Sequence, residues 1–93
     1  MSVIGTQPYN VAKPITKSDT VNYDGSTYSA SAATKAIPAD AILVGDTGIV
    51  IAVLEDGSTV RLTAGNGQII PLKTIRVNST TTSATNMYAL YYV

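Results

Sequence analysis

Residues 48–62 read Gly48-Ile49-Val50-Ile51-Ala52-Val53-Leu54-Glu55-Asp56-Gly57-Ser58-Thr59-Val60-Arg61-Leu62. The six residues 49–54 form the longest aliphatic run in the chain. Four of them (Ile49, Val50, Ile51, Val53) are β-branched and suit a pleated, buried strand. A run this short, closed by turn residues, reads as a strand covered on both faces. Glu55-Asp56-Gly57 is a hairpin signal, with Gly57 expected at positive φ. The chain then alternates: Val60 and Leu62 point inward, Thr59 and Arg61 outward. One strand, a tight turn and a second, half-buried strand set the fold class.

The pattern continues on either side. Ala41-Ile42-Leu43-Val44 is a short apolar strand closed by Gly45-Asp46-Thr47-Gly48. After Leu62, Ala64-Gly65-Asn66-Gly67 is a turn. Residues 68–72 form another strand, which Pro71 confines to an edge or a bulge. Residues 74–78 alternate again, with Ile75 and Val77 inward. Residues 79–86 are a polar loop rich in Ser and Thr, and residues 87–93 form a strand apolar on both faces. About six short strands with short connections, and no helical segment long enough for a parallel crossover, indicate an antiparallel two-sheet fold. The expected class is all-β, a small β-sandwich of jelly-roll-like or Ig-like type, occupying residues 36–93. Ile51, Val53, Val60, Leu62, Ile75, Val77 and Leu90 are the expected core.

Residues 1–35 differ in composition. They are rich in Ser, Thr, Ala and Asn, poor in Ile, Leu and Val, and contain Pro8 and Pro14. Each proline biases its predecessor toward extended geometry. The segment reads as an extended N-terminal arm with one short strand within residues 9–15. It cannot form a core of its own, yet it carries Tyr9, Tyr23 and Tyr28, large stiff side chains of the kind enriched at interfaces. An arm ordered against a neighbouring subunit accounts for both facts.

Composition narrows function by exclusion. A chain of 93 residues forms one domain and buries only about 60% of its unfolded surface. It has no cysteine and no histidine. Disulfides and thiolate metal sites are therefore excluded, and the commonest metal ligand and general base are missing. Oligomerisation remains as the route to added stability. Six basic and six acidic residues give zero net charge, and only 13% of residues are charged, against about 25% in an average globular protein. Near-neutral surfaces favour association. Four lysines and two arginines scattered along the chain make no nucleic-acid footprint. No run approaches the ~20 residues of a membrane span. Residues 1–10 lack the pattern of an export signal, so synthesis in a cytoplasm is expected.

No constellation suggests catalysis. Lys13, Lys17, Lys35 and Lys73 sit in polar neighbourhoods and read as solvated. Glu55-Asp56 belongs to a hairpin turn, where acids serve local hydrogen bonding. Thr20, Asn22, Asp24 and Gly25 echo the start of a calcium loop, but Thr20 replaces the first Asp and Ser31 stands where the bidentate Glu belongs. This stretch reads as a turn. Gly65-Asn66-Gly67 precedes no helix and is loop punctuation. Tyr88 and Tyr92 share one strand face, with Tyr91 on the other. They could form a sugar platform, but core on one side and a partner interface on the other is the simpler reading. No catalytic, metal or cofactor residues are assigned. The candidate interface residues are Tyr9, Tyr23, Tyr28, Tyr88 and Tyr92.

The second half also carries a resemblance. Ala41-Ile42-Leu43-Val44-Gly45 with Gly48-Ile49-Val50-Ile51-Ala52-Val53-Leu54-Glu55-Asp56-Gly57-Ser58-Thr59-Val60 is similar to a pattern in the head spike base proteins of tailed phages and phage-like gene transfer agents. So are Ile69-Ile70-Pro71-Leu72, then Ile75-Arg76-Val77-Asn78 with its Ser/Thr loop through Ala84-Thr85, then Ala89-Leu90-Tyr91. The resemblance covers residues 36–91. It implies a compact β-sandwich on the capsid exterior that carries a fibre or spike, without catalytic residues. The expected function is that of a structural virion protein: a capsid decoration, cement or head spike-base subunit. It would form a trimer or pentamer on the major capsid protein or another virion protein, with a fibre protein as a further partner. The alternative is a sugar- or receptor-binding module of a tail or fibre.

Overall fold

The computed structural model describes residues 9–27 and 37–92. Seven strands follow one another: β1 (Val11–Pro14), β2 (Ala41–Asp46), β3 (Gly48–Leu54), β4 (Thr59–Ala64), β5 (Gln68–Ile70), β6 (Thr74–Val77) and β7 (Thr85–Tyr91). They form two antiparallel sheets, ordered β1-β7-β2-β5 and β4-β3-β6. The expected small β-sandwich is what the chain adopts.

The β3–β4 hairpin follows the sequence closely. Gly57 has φ 90°, its N–H donates to Leu54 O at 2.9 Å, and Leu54 N donates to Ser58 O at 2.8 Å. The Asp56 carboxylate accepts from Ser58 N and Oγ, the local bonding expected of a turn acid. Pairing then runs without interruption from Val53↔Thr59 to Gly48↔Ala64. β5 lies at a sheet edge and ends before Pro71, because a proline cannot donate to a ladder.

Between the sheets lies one main core of Ile42, Val44, Val50, Ala52, Ala64, Ile70, Val77, Ala84 and Met87, with Ile15, Tyr23, Leu62 and Leu72 packed against it. Four expected core residues, Val53, Ile75, Val77 and Leu90, are buried. Val53 and Ile75 form a separate small cluster. Pairing of β3 with β6 slips by one residue between Val53 and Leu54. Such a slip changes which side chains share a face. Ile51, Val60 and Leu62 are only half-buried. Ile51 alternates with the inward Val50 and Ala52. Val60 and Leu62 have the expected inward register, but they lie at an open margin, because β4 is the last strand of its sheet and β5 is only three residues long.

The change in composition near residue 36 does not coincide with a boundary in the fold. β1 pairs with β7 from Val11↔Tyr91 to Pro14↔Tyr88. The chain then crosses to the other sheet, where Ser18 N donates to Val77 O and Tyr23 N to Ile75 O. Residues 10–23 thus close one side of the sandwich. The stretch containing Asp24 and Gly25 is a turn, with Asp24 Oδ1 accepting from Ser26 N at 2.9 Å.

Candidate assembly surfaces

Register defines the outer face of the four-stranded sheet. Ile42, Val44, Met87 and Ala89 turn inward, so the outward positions are Ala12 and Pro14, Asn86, Tyr88 and Leu90, Ala41, Leu43 and Gly45, and Ile69; of these Ala41 and Leu90 are covered, so the open part of the face lies around Pro14, Tyr88, Leu43 and Ile69. None carries a charge, and Asn86 alone is polar. Pairings place Pro14, Tyr88, Leu43 and Ile69 in one row across all four strands. Tyr88 is 38% exposed and Ile69 46%. An antiparallel sheet facing water usually alternates apolar-in and polar-out, and the other sheet does so along β4, where Thr59, Arg61 and Thr63 face out. The other sheet's outer face sets Arg61 and Arg76 beside Ile49 and Ile51, so the charge-free outer face belongs to the four-stranded sheet.

The face is bordered by acids with fixed partners. Asp40 Oδ1 pairs with Lys73 Nζ at 2.6 Å, and its Oδ2 accepts from Tyr92 N at 2.7 Å. Lys73 and the Tyr92 amide hold the Asp40 carboxyl below its ordinary range. At the other end Asp46 Oδ2 accepts from Thr85 Oγ1 and Asn86 Nδ2.

The tyrosines named from sequence occupy different settings. Tyr88 stands in the apolar row. Tyr92, 51% exposed, lines a shallow depression with Tyr9, Asp40 and Lys73. Tyr23 turns inward: its ring packs against the core and its hydroxyl lies 2.8 Å from Thr74 Oγ1. Burial pushes the Tyr23 phenol well up. Tyr28 and Lys35 lie outside the described residues. Tyr91, on the inward side, lines a second depression with Val11, Lys13, Tyr23, Asp24 and Ile37.

Leu43 and Ile69 were not singled out from sequence. They become neighbours of Tyr88 only through the pairings β2–β7 and β2–β5. The Ser/Thr loop is likewise more ordered than its composition suggests. Asp19 Oδ1 accepts from Ser79 N and Thr80 N, both at 3.0 Å. Hydrogen bonds from Thr80 and Ser79 hold the Asp19 carboxyl low. Lys17 Nζ donates to Ala84 O and Thr82 O. Ile51 N donates to Thr82 Oγ1 and Ile49 N to Ser83 Oγ. The loop hydroxyls thus satisfy β3 where the short β6 does not reach. Ser and Thr can replace backbone partners in this way.

Among the described residues no group of three or more acidic, His or Cys side chains could hold a metal ion. Lys17 and Lys73 are engaged as described, and Lys13 is exposed on edge strand β1.

No protein-family model matches the chain, and no curated protein matches it. Among solved structures, it is similar to a chain in the capsid of a native gene transfer agent (GTA) particle computed with C5 symmetry. The TM-score is 0.66 and the identity 28%, over 89% of this chain and 83% of that one. A small two-sheet protein with one charge-free outer face is thus similar, along most of its length, to a chain from the capsid of a phage-like particle.

Proposed function

We propose that the protein is a structural, capsid-associated component of a phage or phage-like particle: a decoration, cement or head spike-base subunit on the exterior of the shell. The observation that carries this reading is the likeness, over nearly the whole chain, to a chain of a gene transfer agent capsid. The role is mechanical. A rigid sandwich is held to its partner by surface complementarity, and the likeness is to a capsid chain rather than to an enzyme.

The outer face of the β1-β7-β2-β5 sheet supplies the means. Tyr88, Tyr92 and Ile69 leave roughly 250 Å² of side-chain surface exposed, taking about 150–250 Å² for a large side chain. One such face is less than the ~800 Å² per partner of a standard stable interface. Several copies in one ring would bind a shell together, each adding to the effective concentration of the next. A trimer or pentamer on the major capsid protein suits that arithmetic. The pinned loop of residues 78–84, which runs alongside β3 past the short β6, offers a platform for a fibre.

The test is attachment. Purified chain is added to particles lacking it, and occupancy is measured for wild type, Ile69→Lys and Tyr88→Lys. Both substitutions are at exposed positions and should leave the melting temperature nearly unchanged. Occupancy should fall at least tenfold. Full occupancy by both folded variants would show that this face is not the docking surface. A wild-type chain that never attaches would contradict the capsid-associated role itself.

A further inference from the structure

The two sheets have four lateral edges, and three are protected. β1 has four residues and ends in Pro14. β5 has three and is followed by Pro71. β6 is covered by the donors Ser18 N and Tyr23 N. β4 differs: it has six residues, no proline and no register shift against β3. Among the described residues nothing hydrogen-bonds to its outer side. Natural sheets usually shield such an edge, because its unpaired N–H and C=O groups are a template for another strand.

The hairpin fixes which groups are unpaired. Leu54 N donates to Ser58 O, so the hydrogen-bonded pairs along the ladder are Ala52↔Val60, Val50↔Leu62 and Gly48↔Ala64. The N–H and C=O of Thr59, Arg61 and Thr63 therefore point away from the sheet. Along the same edge, Val60 and Leu62 face the interior yet stay half-buried. An added strand would satisfy the first set of groups and cover the second.

Arg61 discriminates between occupants of this edge. It stands exposed in the middle of β4, on the outer face of the sheet. The single ion pair among the described residues joins Lys73 to Asp40, so Arg61 has no carboxylate partner there. Two copies meeting edge to edge would pair antiparallel. The register that engages all three outward residues of each copy matches Thr59 with Thr63 and sets the two Arg61 side chains directly opposite each other. Like charges in that position are unfavourable, whereas a strand with a carboxylate there gains an attractive cross-strand pair. The same side chain thus works against a second copy and in favour of an acidic strand.

We infer that β4 accepts an extended acidic segment of another protein as an added strand. The segment carries Asp or Glu opposite Arg61, with apolar side chains before and after it, opposite Val60 and Leu62. Its backbone completes the hydrogen bonds of Thr59, Arg61 and Thr63, and its side chains set the specificity. The apolar pair closes the margin where Leu62 and Leu72 are only partly buried against the core. β4 belongs to the sheet that lacks the charge-free face, so the two surfaces can be engaged at once by different proteins.

This interaction goes beyond capsid attachment and is tested in solution without particles, so the two readings fail separately. The probes are two short blocked peptides, one alternating valine with glutamate and the other valine with lysine. Each is titrated into the full chain and followed by amide NMR. The glutamate peptide should bind about fivefold more tightly or better, a ratio within reach of cross-strand charge pairs. It should also slow exchange of the Thr59, Arg61 and Thr63 amides. Arg61→Glu, at an exposed position, should keep the β spectrum and reverse the preference. Equal binding of the two peptides by the wild-type chain would overturn the inference. So would no binding of the glutamate peptide at millimolar concentration, or binding that leaves those three amides unprotected. Protection of the same amides in a concentrated sample of the chain alone would make a second copy the occupant, and would overturn it too.

Discussion

Gly48 begins β3 directly against the Ser/Thr loop, and Gly48→Ala tests whether that loop is part of the folded framework. A Cβ placed there would lie 2.5 Å from Ala84 N, 2.8 Å from Ala84 Cα and 2.8 Å from Ser83 C. All three are backbone atoms, so no side chain can rotate away, and the loop itself must move. Doing so strains three hydrogen bonds: Ser83 N to Ile49 O at 2.9 Å, Ala84 N to Ile49 O at 3.2 Å and Ile49 N to Ser83 Oγ at 2.9 Å. At about 1 kcal/mol each, their loss costs ~3 kcal/mol. Against this stands the ~0.4–1 kcal/mol that alanine usually gains by restricting the unfolded chain. The net expectation is a destabilisation of about 2–3 kcal/mol, or roughly 10–20 °C in melting temperature for a domain of this size. Gly65→Ala is the control, because its added Cβ meets only Gln68 Oε1 at 3.9 Å; it should be neutral or slightly stabilising. Thermal melts by circular dichroism decide the matter. If Gly48→Ala melts at or above the wild-type temperature, the close approach of loop and strand is wrong.

Three further outcomes are expected. Ile42→Ala, at a fully buried site, should cost about 2–5 kcal/mol, while Leu62→Ala, half-buried at the open margin, should cost only about 1–2 kcal/mol; urea titrations rank them, and equal losses would mean that the margin is closed in the free chain. Asp19, Asp24, Asp40 and Asp56 are all held below their ordinary 3.8, chiefly by Thr80, Ser26, Lys73 and Ser58 in turn. Their stabilisation is present above 3.8 and lost as pH falls through the lower folded values, so the melting temperature should hold from neutral pH to about 5 and drop below about 4. Tyr23 titrates above its ordinary 10.0 because it is buried, so its share of stability is present below pH 10.0 and lost as pH rises past it. Tyr23→Phe should make the alkaline fall in melting temperature shallower, at a cost of about 1 kcal/mol near neutrality for the hydroxyl that meets Thr74.

Strand identity was written in the sequence because it is a local property. The β-branched run of residues 49–54, the Gly57 turn and the Thr59–Leu62 alternation needed no knowledge of partners. The same holds for Pro71, whose missing donor places β5 at an edge. What escaped depends on which strands become neighbours. Val53 and Ile75 were expected in one common core, but a single-residue slip between β3 and β6 puts them in a cluster of their own. The polar composition around Tyr23 gave no sign that its backbone bonds to Ile75 and that its ring packs against the core. Leu43 and Ile69 each looked like an ordinary strand position. Only the sheet order sets them beside Tyr88 and makes a charge-free face. The Ser/Thr loop read as featureless because its role lies in hydroxyls and amides that meet Asp19, Lys17, Ile49 and Ile51 from distant parts of the chain.

The central claim is that this sandwich sits on the outside of a capsid with its apolar sheet toward its partner. A particle reconstruction at side-chain resolution tests it most directly. Density for the seven strands on the exterior of the shell is expected, with Tyr88, Leu43 and Ile69 buried against another protein. Particles that lack the sandwich altogether, or that carry it with those three side chains facing solvent, would contradict the claim.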